Sequence, residues 1–515
     1  MGRFMHFRLS FIALTLLLSL VGPGSVGHTA PASAPDATPV IGADGGVVPR
    51  YEPAACLWKL PDGQTEGRTV SCGFAVVPEL HRNPTGTTIR LPVAVFKSAS
   101  PMPAPDPVIY LQGGPGGAVD DFISGFLDTK IGTYTAERDL IVFDQRGVGF
   151  AQPTLDCPEV KAQELADAAV NSGTTEKIGH EIASVLGCRD RLVGQRINLG
   201  AYTSAESAAD VNDIRAVLGY PKLNLLGVSY GTRIALTIMR DFPDAVRSAV
   251  LDSSVPLQAN LIEDNFANFD RALNLLFAGC VADRACVMTY PAFQEDFSAV
   301  IAQLDAQPVT TTYTDAKTEK KTPVVIDGVT FMSLIAEMLY DVNATRYVPQ
   351  LVAQVKAGQT ALLSLVLNAF GPTGADVNVG AYFSTLCSEE VPFNDRERAA
   401  TAARGVRPEL QPLAANDVRE NFEVCAQWPT QPLNPVENQA VTSDLPALVL
   451  SSDNDPATPP SYGQQVAQTL PKGFLVTFPG IGHSILGNGG SCGTALIFAF
   501  INDPTTQPAT DCVGK

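Results

Sequence analysis

Residues 223–232 read LNLLGVSYGT, and this stretch decides the fold that the sequence predicts. Its apolar beginning, residues 223–226, is typical of a buried strand, and a helical pattern over residues 232–240 follows almost at once. A G-x-S-x-G turn between a strand and a helix holds its serine above the carboxyl end of the strand, where open α/β sheets bind ligands. We therefore predict that Ser229 is a nucleophile rather than a buried structural serine.

A serine hydroxyl needs a base, and the chain has only five histidines. Four of them lie in or beside an apolar leader or in polar stretches with no strand before them: His6, His28, His81 and His180. His483 follows directly on the apolar run at residues 474–478, where a strand of the sheet would end. The sequence therefore predicts His483 as the base, in preference to an ordinary surface-loop histidine.

The third member of a triad orients the histidine and stabilises its charged form. Residues 452–459 read SDNDPATP and follow the preceding apolar run. Asp455 is the first choice and Asp453 a close rival, while Asp252, at the end of the run at 246–251, is a second rival. The order serine, aspartate, histidine agrees with the order expected for a serine turn of this type.

A glycine-rich turn, QGGPGG at residues 112–117, follows another apolar run. Exposed backbone N–H groups at such a turn can bind the negative oxygen that develops when serine attacks a carbonyl. We predict that the N–H groups of Gly114 and Tyr230 form this oxyanion hole. The alternative is an ordinary tight loop, which is less favoured once Ser229 stands beside it.

Apolar runs alternate with helical patterns at both ends of the chain, which indicates a mostly parallel sheet with helices on both faces. A mainly helical block interrupts this alternation and is expected to cover the site as a cap. The predicted segments are residues 1–34 (signal peptide and start of a tether), 35–67 (N-terminal segment), 68–257 (first part of the α/β core), 258–437 (cap) and 438–515 (second part of the core).

Composition restricts the partners and the compartment of this 515-residue chain. Its formal net charge of −18 argues against binding to nucleic acid or to anionic membranes. Arg3 and Arg8 precede an apolar run at residues 9–21 that is short for a membrane span, so we expect a cleaved signal peptide and a secreted or cell-envelope protein. An uncleaved anchor is the less favoured alternative. No stable membrane insertion is expected after the signal is removed.

Ten cysteines lie in the exported part, and an even number in such a protein favours disulfides. No C-x-x-C pair is present, so we expect no metal site and no cofactor. Short loops close at low entropic cost, which predicts pairing in chain order. The expected pairs are Cys56–Cys72, Cys157–Cys188, Cys280–Cys286, Cys387–Cys425 and Cys492–Cys512.

These motifs together resemble the tripeptidyl aminopeptidase branch of the prolyl aminopeptidase family of α/β-hydrolases. The resemblance covers nearly the whole exported chain and rests on LQGGPGG, FDQRGVGFAQPTLDCPE, LLGVSYGT, LDSSVP, SSDNDPATPP and PGIGHS. It implies an α/β-hydrolase fold with an inserted helical cap and a tripeptidyl-aminopeptidase-like C-terminal region. It also selects Asp455 over Asp453. We interpret Asp144 and Arg146, which match a family motif, as structural residues that brace the glycine turn.

The resemblance further implies that carboxylates in the cap bind the free amine of a peptide. The sequence Cys-Ser-Glu-Glu at residues 387–390 is similar to a cap motif of this family, which makes Glu389 the first candidate and Glu390 the second. A solvated acidic pair with no role in binding is an equally good interpretation, because most glutamates are exposed.

Three functions are compatible with the sequence. The first is a secreted serine exopeptidase that releases short peptides, with tripeptides as the expected product, from substrates with a free N-terminus. The second is a secreted carboxylesterase that uses the same triad. The third, a non-catalytic binding protein on a hydrolase fold, is disfavoured by the complete triad.

Overall fold

The computed structural model describes residues 40–41, 45–315, 318–371, 377–430 and 434–515. The predicted signal peptide, residues 1–34, lies outside the described residues. Within these ranges, no helix combines the length and the apolarity that crossing a bilayer requires.

A nine-stranded sheet forms the centre of the molecule, in the order β13-β12-β9-β8-β6-β7-β5-β4-β3. The six strands from β13 to β7 run parallel, and β5, β4 and β3 continue the sheet in antiparallel pairing. The strands are β1 (Val40–Ile41), β2 (Val47–Val48), β3 (Arg50–Pro53), β4 (Val70–Pro78), β5 (Thr88–Phe96), β6 (Val108–Leu111), β7 (Leu140–Phe143), β8 (Leu223–Val228), β9 (Val246–Asp252), β10 (Val309–Thr314), β11 (Lys321–Ile326), β12 (Ala447–Ser452) and β13 (Gly473–Phe478).

Helices cover both faces of the sheet, which explains why β6, β7, β8 and β12 are buried at every position. The helices are α1 (Ile131–Tyr134), α2 (Pro158–Ala168), α3 (Thr174–Gly194), α4 (Ser204–Val217), α5 (Tyr230–Asp241), α6 (Leu261–Ala282), α7 (Arg284–Thr289), α8 (Phe293–Ala306), α9 (Gly328–Tyr340), α10 (Val342–Thr345), α11 (Val348–Lys356), α12 (Ala361–Phe370), α13 (Val379–Glu389), α14 (Arg396–Gly405), α15 (Gln411–Cys425), α16 (Pro460–Ala467), α17 (Ile485–Asn488) and α18 (Gly490–Asn502).

Helices α6 to α15 and the antiparallel hairpin β10–β11 are inserted between β9 and β12 and form the cap. The cap contributes Phe297 and Phe331, among others, to an apolar cluster that is separate from the clusters on the two faces of the sheet. Val185 and Leu192 of α3 belong to the same cluster. Helices α2 and α3, which the sequence groups with the first part of the core, therefore share their hydrophobic core with the cap.

Five disulfides are present, and they join the same pairs that the sequence predicts. Cys387–Cys425 connects α13 with the end of α15 inside the cap, and Cys492–Cys512 ties the C-terminal tail to α18. Disulfides persist in oxidising compartments, so their number indicates an extracytoplasmic protein.

Candidate active site

Ser229 lies in a sharp turn between β8 and α5, with φ 57° and ψ −124°. A non-glycine residue adopts this positive φ only where its surroundings impose it. The flanking glycines make the turn possible, because a Cβ at Gly231 would come 2.0 Å from the carbonyl oxygen of Leu111 and one at Gly227 would come 2.6 Å from that of Gly231. The serine is 1% exposed and stands at the end of the strand, where the sequence predicts it.

His483 and Asp455 meet beyond the ends of β13 and β12. The Nδ1 atom of His483 is 2.8 Å from Oδ2 of Asp455, and both side chains are buried. The Asp455 carboxylate also accepts from the backbone N–H groups of Ala457 and Thr458 and from the Thr458 hydroxyl. Burial alone would raise the pKa of Asp455, but the His483 imidazole and these donors outweigh it, and the net pKa is lowered. A carboxylate held ionised in this way stabilises a protonated histidine.

The two rival aspartates bind elsewhere. Asp453 accepts from the backbone N–H of Gly480, and so it braces the loop before the histidine. Asp252 accepts from the hydroxyl of Ser484 and from the backbone N–H groups of Ile485 and Leu486, at 3.1, 2.8 and 2.7 Å. It therefore fixes the start of α17, directly after the histidine.

The glycine turn at residues 112–117 packs directly against the serine. A Cβ at Gly113 would lie 3.1 Å from Cβ and 3.7 Å from Oγ of Ser229, and Gly114 has a φ of 129° that favours glycine. The backbone of the turn is also bonded to the cap, because the N–H of Asn378 donates to the carbonyl of Gly116 at 2.8 Å. This arrangement suits an oxyanion hole, and the assignment of Gly114 and Tyr230 to it stays a prediction.

Of the two residues interpreted as bracing this turn, only Asp144 contacts its end. Asp144 accepts from the N–H of Val119, just after the turn, and burial raises its pKa to about 6. The side chain of Gln145 donates to the carbonyl of Gln112. Arg146 instead forms a buried ion pair with Asp210 of α4, 2.7 Å away, so its expected role at the turn is wrong.

Glu389 and Glu390 are buried, which excludes the interpretation as a solvated acidic pair. Arg233 of α5 lies between them, with Nε 3.2 Å from Oε2 of Glu389 and Nη1 2.7 Å from Oε1 of Glu390. The Glu389 carboxylate also accepts from the N–H and the hydroxyl of Ser204. Burial raises the pKa of Glu390 to about 7, although Arg233 acts against it. Both carboxylates thus have partners inside the protein.

Two cap residues contact the acid and base loops, and the sequence analysis missed both. The carbonyl of Tyr340, at the end of α9, accepts from the N–H of His483 at 3.0 Å, and the two rings pack edge to face with centroids 5.2 Å apart. Arg271 of α6 donates to the carbonyls of Asp453 and Asp455. Neither residue lies in a motif that marks its role. For the buried glutamates the sequence did hold a signal, because the charged Arg233 within the apolar stretch of α5 indicates a buried acidic partner.

Comparison with known proteins finds two regions of the chain that match family models. Residues 106–287 match the α/β-hydrolase fold family, and residues 411–513 match the family described as TAP-like protein. The chain therefore contains a domain with the α/β-hydrolase fold and a TAP-like region. The predictions of this fold, of a tripeptidyl-aminopeptidase-like region and of a serine hydrolase are confirmed.

Three curated relatives of this α/β-hydrolase carry different names. Serine protease Hip1 of Mycobacterium tuberculosis is 26% identical over 476 residues, which cover 85% of this chain and 86% of the relative. Tripeptidyl aminopeptidase of Streptomyces lividans is 33% identical over 231 residues, 42% of this chain and 41% of the relative. Carboxylesterase B of M. tuberculosis is 26% identical over 485 residues, 90% of both chains.

Proposed function

We propose that this protein is a secreted serine exopeptidase that releases short peptides from free N-termini, with tripeptides as the expected product. The observation that carries the proposal is the bond between His483 and Asp455 beyond the sheet ends, on the same edge as the strained turn of Ser229. Two relatives named serine protease and tripeptidyl aminopeptidase support peptide substrates. The five disulfides support an extracytoplasmic site of action.

In the proposed mechanism, Oγ of Ser229 attacks the scissile carbonyl while Nε2 of His483 takes its proton. Asp455 holds the imidazole through Nδ1 and stabilises its positive charge. The N–H groups of Gly114 and Tyr230 bind the oxygen that becomes negative. The histidine then gives its proton to the leaving amine, and the peptide is left as an ester on Ser229. Water, deprotonated by the same histidine, hydrolyses this ester and restores the serine.

The substrate ammonium requires a carboxylate within the cap, and we propose Glu337 for this role. Glu389 and Glu390 are less suitable because each already pairs with Arg233. Glu337 lies on α9, one turn before Tyr340, and is 3% exposed. Burial first, and the Glu337 carboxylate second, raise the pKa of Tyr340, whose ring packs against His483. A carboxylate at this place would hold a free N-terminus near the site by a charge-assisted hydrogen bond.

The alternative function is a carboxylesterase, which the relative of that name favours. Three substrates separate the two: a tripeptide anilide with a free amine, its N-acetylated form and a small neutral ester. The exopeptidase is expected to cleave the free-amine anilide and to leave the acetylated one nearly intact. Ser229→Ala serves as the blank and should lose on the order of 10⁶ in turnover, the size of effect seen for a triad serine.

The Glu337→Gln variant completes this experiment. It should weaken kcat/KM on the free-amine anilide by about 10- to 150-fold, the range for a hydrogen bond to a charged group, and should leave the ester unaffected. Glu389→Gln is the matched control and should not discriminate between the two substrates. Efficient cleavage of the acetylated anilide by the wild type would refute the exopeptidase and favour an esterase or an endopeptidase. Cleavage of the neutral ester with both anilides left intact would favour the esterase.

A further inference from the structure

A chain of buried hydrogen bonds connects the cap to the residue that follows the nucleophile. Ser204, the first residue of α4, donates its backbone N–H to Oε1 of Glu389 and its hydroxyl to Oε2, the latter at 2.5 Å. The Oγ of Ser204 also lies 2.9 Å from the hydroxyl oxygen of Tyr230. Ser204 is 0% exposed, Glu389 1% and Tyr230 5%, so water does not compete for these bonds.

Chemistry fixes the direction of this chain. The hydroxyl of Ser204 has a single hydrogen, and it donates this hydrogen to Oε2 of Glu389. The bond to Tyr230 must therefore use the hydrogen of the tyrosine, which donates to Oγ of Ser204. The order is Tyr230 to Ser204 to Glu389, and consecutive hydrogen bonds in such a buried chain polarise and strengthen one another.

The end of the chain is held in place from a second side. Arg233, one turn along α5 from the nucleophile, is 2% exposed and pairs with Glu389 and Glu390. The C-terminal end of α13 in the cap thus holds the first turn of α5 at two points, directly at Arg233 and through Ser204 at Tyr230. The proposed oxyanion hole takes one of its two N–H groups from this first turn.

We propose that Glu389 and Ser204 are positioning residues, which hold the Tyr230 N–H in the orientation that binds the transition-state oxygen. The inference rests on Ser229 being the nucleophile, as proposed above, but not on peptide substrates. It gives Glu389 a role in the chemical step common to all substrates, instead of a role in binding a substrate ammonium.

Tyr230→Phe tests the proposal most directly, because it removes the hydroxyl and keeps the buried ring. Loss of one hydrogen bond that aligns an oxyanion donor should lower kcat by about tenfold, with KM little changed, since the oxyanion exists only in the transition state. The loss should be equal on a peptide anilide and on a neutral ester. Labelling of Ser229 by a fluorophosphonate should slow by a similar factor.

Ser204→Ala breaks the same link from the other side and provides a second variant if the first folds poorly. The double variant Tyr230→Phe/Ser204→Ala should lose no more kcat than the larger single loss, because both changes break the same link to the Tyr230 hydroxyl, although Ser204→Ala also removes the hydroxyl bond to Glu389. This cycle also separates the Ser204 bond from the contribution of Thr385, which also bonds the Tyr230 hydroxyl.

Ser384→Ala is the matched control. Ser384 lies on α13, is 0% exposed and accepts from the indole of Trp428 inside the cap at 3.1 Å. It should lower the Tm without lowering kcat. The proposal is overturned if Tyr230→Phe and Ser204→Ala also lower only the Tm, if their kcat losses are additive, or if Glu389→Gln impairs free-amine peptides alone. Failure of the proposed function would be seen in a different variant, because Ser229→Ala would then keep its activity.

Discussion

Asp252 is the last residue of β9 and Asp455 follows the neighbouring strand β12, so their hydrogen-bond partners are what distinguish them. Asp455 bonds Nδ1 of His483, whereas Asp252 binds backbone N–H groups and a hydroxyl of the segment that follows the histidine. The sequence could place both at strand ends, because buried strands are recognisable by their apolar runs. It could not choose between them from the residues alone, since that choice depends on where the loop after β13 folds back.

These partners predict different effects of removing each charge. Asp455→Asn should lower kcat by roughly 10⁴, as in other triads, because the amide no longer stabilises the protonated imidazole. Asp252→Asn places an amide N–H against the donors of Ile485 and Leu486, so it should lower the Tm and cost kcat much less. Steady-state kinetics and thermal unfolding of both variants check this. A larger kcat loss for Asp252→Asn would move the acid to β9.

At the scale of elements, α4 is bound to the loop after β4 by a charge network that the sequence analysis overlooked. His81 lies in a polar stretch of the sequence, yet its ring nitrogens lie 2.6 Å from Glu206 and 3.1 Å from Asp213. The two carboxylates and Asp210 recur at the i, i+4, i+7 spacing of one helix face, which was a visible signal. The pairing with a histidine 125 to 132 residues earlier was not predictable without the fold.

This network predicts a pH dependence of stability. Burial alone would lower the pKa of His81, but the carboxylates of Asp213, Glu206 and Asp210 outweigh it and raise the pKa to about 9. A folded-state pKa above the unfolded value means that the stabilisation is complete below about pH 6.5 and is lost as pH rises through about 9, by at most about 3 kcal/mol. Urea unfolding of wild type and His81→Gln at pH 6 and pH 9.5 measures this difference.

The difference in free energy of unfolding between the wild type and His81→Gln should therefore be large at pH 6 and small at pH 9.5. His180→Gln is the control, because His180 also pairs with an aspartate, Asp167, at 2.8 Å but is largely exposed. The His180→Gln substitution should change the free energy of unfolding less than His81→Gln does, since water screens an exposed pair. An equal pH dependence in all three proteins would mean that His81 carries no linked proton.

At the scale of the whole molecule, the cap contacts each part of the candidate site. Tyr340 bonds the base loop, Arg271 the acid loop and Asn378 the glycine turn, and Glu389 pairs with Arg233 of the helix after the nucleophile. The sheet, the serine turn and an inserted helical cap were predictable, because each follows from local periodicity or a motif. These contacts were not, because they join residues more than 100 positions apart, and most of them use ordinary backbone groups.

Two disulfides cross-link the cap, and they should differ in how much they stabilise it. Cys387–Cys425 closes a separation of 38 residues and Cys280–Cys286 one of 6, and in each pair one cysteine is buried and the other half-buried. Loop-closure entropy grows with the logarithm of loop length, so removing the longer link should cost about 1.6 kcal/mol more. The double variants Cys387→Ala/Cys425→Ala and Cys280→Ala/Cys286→Ala carry the same chemical change, so comparing their thermal unfolding isolates loop length.

The variant that lacks the longer cross-link should show the larger fall in Tm, together with a loss of activity because α13 carries Glu389. Equal falls, or a larger fall for the short pair, would show that local packing around the sulfur atoms, rather than the constraint on the unfolded chain, governs how these disulfides stabilise the cap.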